Sequence, residues 1–207
     1  MAAPAITEQG RATRMRIVRA AAELIGERGV SGTSLDDVRA ATSSSKSQLY
    51  HYFGDKQGLV RAVIEYQCAA VLAAQAAALD EVQDWRDLDA WGDMMVTAVE
   101  QQAARGGCPI GTLAAALADV DEASRLALNE AFQTWRAAIG EALGRLRDNR
   151  VLAADADLDA LTTMTLAAIQ GGLLLAKTSR DSGQLRTALD GAIAQLRVHY
   201  ARDPHRR

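Results

Sequence analysis

Polar and aromatic side chains cluster in a short stretch near the N-terminus and have the chemistry of a DNA contact surface. In a helix through this stretch, Leu49 and Phe53 are four residues apart and share one face. The opposite face carries a hydroxyl, an amide and an imidazole, from Ser47, Gln48 and His51. An amide can hydrogen-bond base edges in the major groove, and a small serine permits close approach. The residue types leave two interpretations open: a base-contacting face, or a small hydrophobic corner with solvated polar groups.

Basic side chains near this stretch could hold a phosphate backbone. Lys46 stands at the predicted start of the helix and Lys56 at the start of the next one, where free backbone amides also favour anions. Residues 1–66 carry a net charge of +2, from nine Lys and Arg against seven Asp and Glu. Residues 67–207 carry −5, from 14 against 19. This asymmetry allows a polyanion contact at the N-terminal end, although a solvated basic helix face has the same composition.

The sequence offers little for catalysis or metal binding. It lacks the GxSxG, HExxH, P-loop and GxGxxG motifs, and its only histidines are His51, His199 and His205. Cys68 and Cys108 are far apart and form no CxxC pair, which argues against a zinc site and a disulfide framework. We therefore predict no catalytic residue, no metal and no cofactor. Cys108 could be a redox-sensitive thiol, but a buried structural thiol is the simpler interpretation.

The composition favours helices. Alanine accounts for 42 of the 207 residues, proline for three and aromatic residues for 4%. Apolar spacing and capping residues predict helices over 13–28, on either side of residues 42–44, and over 56–78, 86–105, 111–119, 122–148, 157–177 and 183–201. Residues 33–36 and 45–48 resemble capping boxes. Two short helices joined by a tight turn, after a longer helix, predict a helix-turn-helix.

Targeting and membrane signals are not expected. The N-terminus lacks the apolar stretch of a signal peptide. No run approaches about 18 uninterrupted apolar residues, the length that a membrane span needs. We therefore expect no membrane association and a reducing, cytoplasmic location.

The stretches 33–38, 41–46 and 49–56 resemble the DNA-binding domain of TetR-family transcriptional regulators. The most specific part is an aromatic cluster at the family's Tyr-x-Tyr-Phe-x-x-Lys spacing, formed by Tyr50, Tyr52, Phe53 and Lys56. The resemblance covers about residues 11–60, and the rest is similar to the family in length and helical layout. It implies an all-α fold with an N-terminal three-helix helix-turn-helix DNA-binding domain and a larger C-terminal helical domain for ligand binding and dimerisation.

The resemblance also implies roles by position. Thr33, near the start of the second helix, is expected to contact a phosphate. The recognition helix and its entry comprise Ser45, Lys46, Ser47, Gln48, Tyr50 and His51. Bases are expected to be contacted by Ser47 and Gln48, and the DNA backbone by Tyr50, His51 and Lys56. An N-terminal arm with Arg11 and Arg14 is expected to contact the minor groove or flanking phosphates, as in related motifs.

Four positions depart from the family pattern. Ser43 replaces the usual turn glycine and Ser44 a usual apolar residue, while Arg39 replaces a small residue and Ser47 a common glycine. A serine is less free than a glycine to adopt a left-handed conformation. These departures bear on the operator sequence more than on the fold.

Two apolar stripes near the C-terminus are candidates for a dimer interface. The last predicted helix carries, at i, i+3, i+4 spacing, Leu185, Leu189, Ile193 and Leu196. The preceding helix carries Leu161, Ile169, Leu173 and Leu174, and Gly171-Gly172 would permit close approach. Periodicity alone cannot distinguish a dimer interface from the chain's own core. The resemblance favours the interface, because the last two helices of the family usually form one, and a homodimer would contact two half-sites of double-stranded DNA.

Large apolar side chains in the central helices are candidates for a small-molecule pocket. They are Trp91, Met94, Met95, Phe132 and Trp135. Aromatic and methionine side chains suit an adaptable apolar site, and the family encloses a ligand in this region. Core packing is the alternative interpretation for each of the five.

Together these observations predict a ligand-responsive transcriptional regulator. Residues 1–10 are expected to be a flexible tail, 11–55 the DNA-binding domain and 56–207 the helical ligand-binding and dimerisation domain. The expected activity is that of a repressor, which binds a palindromic operator as a dimer and is released by a small-molecule effector. The alternative is a DNA-binding protein of the same fold without ligand control, either an activator or an architectural protein.

Overall fold

The computed structural model describes residues 7–200, which are almost entirely helical. Nine α-helices follow one another in this part of the chain: α1 (Glu8–Arg28), α2 (Leu35–Thr42), α3 (Lys46–Phe53), α4 (Lys56–Asp80), α5 (Trp85–Gln101), α6 (Pro109–Leu117), α7 (Glu122–Asp148), α8 (Leu158–Ser179) and α9 (Gly183–Val198). The all-α class predicted from the sequence is confirmed.

The helices form two compact units. The first unit runs to Ala70 and includes Leu113–Leu128, and the second contains Val71–Thr112 and the described residues from Asn129 onward. The division therefore falls inside α4, α6 and α7. The sequence suggested a boundary between residues 55 and 56, which is where α4 starts. The two boundaries differ because capping residues mark where a helix begins, whereas the units are defined by tertiary contacts.

Local caps fix the first helix of the first unit. The Thr7 side chain accepts a hydrogen bond from the Gly10 backbone N–H, so α1 begins at Glu8. The helix ends at Gly29, whose φ of 74° lies in the region that glycine adopts without strain. The tail predicted over 1–10 is thus wrong for residues 8–10, which are helical, and residues 1–6 lie outside the described residues.

Capping boxes begin both helices of the helix-turn-helix. Ser34 and Asp37 form the first box, one residue later than the sequence suggested. Ser45 and Gln48 form the second box, as predicted. The side chain and backbone N–H of Ser34 both donate to Asp37, which lowers the pKa of this carboxyl group.

The turn between α2 and α3 is held by side chains from two helices. Ser43 is left-handed, with φ 52° and ψ 29°. Arg16, in α1, donates a hydrogen bond to the Thr42 carbonyl oxygen. The Thr42 hydroxyl lies 2.7 Å from the Val38 carbonyl oxygen and 2.9 Å from the Ser44 hydroxyl. Arg16 is therefore a positioning residue for the turn that orients α3.

Ser43→Gly is expected to raise the free energy of unfolding by about 0.5–1 kcal/mol. A left-handed conformation costs a non-glycine residue about 1–2 kcal/mol, and the greater backbone entropy of glycine offsets part of that gain. Urea denaturation followed by circular dichroism measures the change. Ser47→Gly is the matched control, because Ser47 lies inside α3 and glycine there should be destabilising. Equal or lower stability of Ser43→Gly would show that the turn is not strained.

The second unit depends on a close approach of α8 and α9. A Cβ added at Gly172 would lie 2.9 Å from the Ala188 Cβ and 3.1 Å from the Leu185 Cα, so only glycine fits at this position. The Trp91 Nε1 donates to the Gln75 side chain at 3.0 Å and joins α5 to the end of α4. Ion pairs join α9 to α5, between Arg186 and Asp93 and between Arg197 and Asp89.

Two helices, α4 and α8, are long and apolar enough to cross a membrane by length and composition alone. Core and interface helices of water-soluble proteins often pass the same test. In α8 part of this apolar surface packs against α9 within the second unit.

Candidate nucleic-acid interface

The two faces of α3 divide as the sequence predicted. Leu49 and Phe53 are buried, at 3% and 8% exposure, and hold the helix on the first unit. The six contact residues predicted in α3 and at its entry are exposed: Ser45, Lys46, Ser47, Gln48, Tyr50 and His51. The Lys46 Nζ lies 5.9 Å from the centre of the Tyr50 ring. The exposed face therefore combines hydrogen-bonding groups for base edges with cationic and aromatic groups for phosphates and sugars.

Lys56 lies at the start of α4, next to this face. Asp55 accepts a hydrogen bond from the Gly58 backbone N–H at 2.7 Å and caps the helix. Lys56 is half-buried, and its charge and that of Arg28 contribute to the lowered pKa of Asp37. Asp37 is therefore ionised at neutral pH and partly offsets the positive charge at this edge of the unit.

The two arginines predicted to form an N-terminal arm lie in α1. Arg11 lies in the first turns of α1 and is exposed. The Arg14 guanidinium carbon lies 5.5 Å from the centre of the Phe53 ring, and its Nη2 lies 4.0 Å from a Glu65 carboxylate oxygen. Arg14 thus joins α1 to α3 and α4, a positioning contact that sequence spacing did not indicate.

Thr33, which the resemblance implies as a phosphate contact, is buried. It is only 4% exposed, and its hydroxyl donates to the Gly29 carbonyl oxygen at 3.0 Å. The hydroxyl therefore stabilises the end of α1, and the phosphate contact stays a prediction. The capping box that begins one residue later, at Ser34, places Thr33 on the inner side of the connection.

Most of the residues predicted for a dimer interface on α8 and α9 are buried within the second unit. Six of them are at most 5% exposed: Leu161, Ile169, Leu185, Leu189, Ile193 and Leu196. Leu173 is half-buried. A residue covered by its own chain cannot meet a partner, so the interpretation left open for these stripes, core packing, is the one that the structure supports.

A second stripe on the same helices is exposed. In α8 it comprises Ala160, Thr163, Ala167, Gly171, Leu174 and Leu175, and in α9 it comprises Thr187, Gly191, Ala194, Gln195 and Val198. Leu174 and Leu175 are 63% and 54% exposed. None of these eleven side chains is charged. We call these residues the outer stripe; two of its members, Gly171 and Leu174, are among the residues that the sequence indicated for a dimer interface.

The five predicted pocket residues have different environments. Met94 is 40% exposed, so the prediction that it lines an enclosed pocket is wrong. Trp91 and Met95 are buried, and Phe132 is half-buried. Trp135 is 2% exposed, and its Nε1 has no hydrogen-bond partner among residues 7–200. Trp135 therefore retains a buried donor that the fold does not use.

Gln170 was missed by sequence reasoning. Its Nε2 is a second buried donor without a hydrogen-bond partner of good geometry among the described residues, and the Gln170 side chain also interacts with the Cys108 thiol, lowering the pKa of that thiol against the effect of burial. Gln170 and Cys108 flank Gly111, because a Cβ added there would lie 2.7 Å from the Gln170 Oε1 and 3.5 Å from the Cys108 Cβ. Burial raises the pKa of the Cys108 thiol. A raised pKa disfavours the reactive thiolate, which supports the structural role for Cys108.

Clefts are present in both units. In the first unit a cleft of about 220 Å³ lies between the end of α1, the start of α4 and the α6–α7 connection, and is lined by residues that include Val30, Lys56, Val60 and Val120. In the second unit a groove of about 180 Å³ lies between α5 and α9. Neither is lined by the predicted pocket residues. Within residues 7–200 no group of three or more His, Cys, Asp or Glu is arranged to hold a metal ion.

Comparisons with known proteins agree with this arrangement. A family model described as "Bacterial regulatory proteins, tetR family" matches residues 17–63. A model described as "Transcriptional regulator LmrA/YxaF-like, C-terminal domain" matches residues 85–191. The first match contains the helix-turn-helix, and the second covers α5 to most of α9.

Relatives match along most of the chain. An uncharacterised HTH-type transcriptional regulator in the lacX 3′ region of Lactococcus lactis is 30% identical, over 87% of this chain and 91% of that protein. The HTH-type transcriptional regulator LmrA of Bacillus subtilis is 27% identical, over 84% of this chain and 90% of that protein.

A solved structure has the same fold. The regulatory protein TetR from Rhodobacter sphaeroides superposes with a TM-score of 0.80 at 23% identity, over 88% of this chain and 97% of that one. The helix-turn-helix and the larger helical domain predicted from the sequence are confirmed. The chain belongs to the TetR family of helix-turn-helix, DNA-binding transcriptional regulators, with an LmrA/YxaF-like C-terminal domain.

Proposed function

We propose that this regulator is a dimeric repressor that binds a palindromic operator and leaves it when a small-molecule effector binds. In this proposal residues 11–55 bind DNA in the cytoplasm, and residues 56–207 provide the effector site and the dimer contacts. The single observation that carries the proposal is that the polar face of α3 is exposed while its opposite, apolar face is buried. Ser47 and Gln48 contact bases, and the DNA backbone is contacted by Ser45, Lys46, Tyr50, His51, Lys56 and Arg11.

The dimer is formed by the outer stripe. A single recognition helix gives weak binding, whereas a two-fold dimer places two helices on two half-sites. The stripe is uncharged and contains Gly171 and Gly191, at each of which an added Cβ would meet nothing within 4 Å. Small residues at these points allow the helices of a second copy to approach closely. Because the stripe continues across both helices, we propose a second copy of the chain as its occupant.

The effector site lies in the second unit and involves Trp135 and Gln170. A buried donor without an acceptor costs about 1–3 kcal/mol, and such groups are rare in folded proteins unless a ligand or water satisfies them. Both unpartnered groups are N–H donors. The effector is therefore a small apolar molecule with hydrogen-bond acceptors, such as carbonyl, ether or carboxylate oxygens. It releases the operator by binding the non-DNA state more tightly.

Trp135→Phe is expected to abolish release of the operator by compounds that need the Nε1 donor, while operator binding itself is retained. The probes are pairs of small molecules of the same shape with and without a carbonyl, ether or carboxylate oxygen. Release is measured by fluorescence anisotropy of labelled operator. Trp91→Phe is the matched control, since the Trp91 Nε1 already donates to Gln75. If both variants respond to the same compounds as the wild type, Trp135 does not contact the effector.

Selection from a random duplex library at near-physiological salt tests the proposed function. The full-length protein is expected to enrich an inverted repeat, because each copy presents one recognition helix. Enrichment of no motif, with binding that disappears as salt rises, would contradict the proposal and indicate non-specific attraction to phosphates. If the protein enriches a motif but no compound in the set releases it from that DNA, the result would favour an activator or an architectural protein instead.

A further inference from the structure

Gln48 holds one end of its side-chain amide in the fold and leaves the other end exposed. Its Oε1 accepts a hydrogen bond from the Ser45 backbone N–H at 2.9 Å, and the Ser45 Oγ accepts one from the Gln48 backbone N–H at 3.1 Å. A backbone N–H can only donate, so this contact fixes which end of the amide is the oxygen. Within residues 7–200 the Nε2 makes no hydrogen bond, and the side chain is exposed.

This tether limits what Gln48 can offer to a base. The Nε2 group has two N–H donors and no acceptor. A glutamine that recognises adenine uses both ends of its amide, since its oxygen accepts from N6 and its nitrogen donates to N7. In this chain the oxygen is already turned toward the Ser45 backbone. The second lone pair of this oxygen has a direction fixed by the Ser45 contact, so both ends of the amide cannot be turned freely toward one adenine.

We infer that Gln48 contacts its base only as a hydrogen-bond donor, so that guanine is preferred and cytosine rejected at that position of each half-site. Guanine presents two neighbouring acceptors in the major groove, O6 and N7, whereas cytosine presents only the N4 donor. The inference rests on the proposed function, because it requires α3 to enter the major groove. It adds the chemistry of one base contact, which neither the family nor the fold specifies.

The capping box also makes the contact more selective. A free glutamine side chain loses rotamer freedom when it contacts a base, and this loss weakens binding. The Gln48 side chain is already held through Oε1, and the buried Leu49 next to it fixes the rotation of the helix. Much of the loss of rotamer freedom of Gln48 therefore takes place when the protein folds rather than when it binds DNA. The expected preference for guanine over cytosine is roughly 5- to 100-fold, the range of good base contacts.

Gln48→Glu separates the cap from the base contact. A glutamate has the same shape and can accept the Ser45 backbone N–H, so the capping box is kept, but it has no N–H to donate. A carboxylate accepts instead from cytosine N4. The expected result is an unchanged melting temperature and a preference that moves from guanine to cytosine at one position of each half-site.

Gln48→Ala is the comparison variant, because it removes both the cap and the base contact. It is expected to lower the melting temperature by about 2–8 °C and to flatten the preference at the same position. The glutamate charge weakens binding to every sequence by repulsion from phosphates. The readout is therefore the relative preference at each position, from parallel selections with the three full-length proteins on one random duplex library.

The outcomes separate this inference from the proposed function. A wild-type motif with guanine at a position that changes to cytosine in Gln48→Glu supports the inference. A wild-type motif that is the same in Gln48→Glu, or one in which the position that depends on Gln48 is adenine, overturns the inference and leaves the proposed function intact. No enriched motif for the wild type contradicts the proposed function, and the inference fails with it.

Discussion

Leu174→Arg is expected to convert the proposed dimer to a monomer and to weaken binding to a palindromic operator by about 10²–10⁴-fold. Leu174 is 63% exposed in the outer stripe. In a two-fold dimer, an arginine there would place one unpaired charge from each copy in an apolar interface. Each half-site would then be bound separately, and the gain from binding two linked sites would be lost.

Sedimentation velocity and fluorescence anisotropy with the selected operator measure the two effects. Leu126→Arg is the matched control, since Leu126 is 53% exposed on α7 and lies outside the outer stripe. An added arginine favours DNA binding electrostatically, so weaker binding by Leu174→Arg cannot come from its charge. A dimeric Leu174→Arg protein with normal operator affinity would show that α8 does not form the interface at this residue.

Leu49→Ala is expected to lower the free energy of unfolding of the first unit by about 2–5 kcal/mol. Leu49 is 3% exposed under the recognition helix, so its truncation removes buried apolar contacts and leaves a cavity. Because Leu49 holds α3 on the unit, operator binding should disappear at temperatures where the wild type still binds. Urea denaturation followed by circular dichroism and anisotropy measurements at several temperatures check both results.

Tyr50→Ala is expected to have the opposite profile, although Tyr50 is the next residue in the chain. Tyr50 is 49% exposed and its ring centre lies 5.9 Å from the Lys46 Nζ, so the loss of stability should be under about 1 kcal/mol. Binding to DNA of every sequence should weaken, since the proposed contact is to the DNA backbone. If Tyr50→Ala unfolds as easily as Leu49→Ala, the assignment of the two faces of α3 is wrong.

Much of the helix-turn-helix could be predicted because its signals are local. The Ser45–Gln48 capping box, the Asp55 cap and the end of α1 at Gly29 each join residues three or four apart. The position of the α2 cap, one residue later than the sequence suggested, shows the limit of such signals. A Thr-Ser pair offers two candidate caps, and the choice of Ser34 places the Thr33 hydroxyl against the Gly29 carbonyl.

The sequence by itself determined the helices, the two faces of α3 and, through its motifs, the family. The tertiary structure alone decided which apolar stripe of α8 and α9 is covered by the chain, and that Trp135 and Gln170 keep unpartnered donors. Periodicity describes one helix at a time, and both stripes repeat every three to four residues. What covers a stripe, or satisfies a donor, depends on helices that are distant in the sequence and meet only after folding.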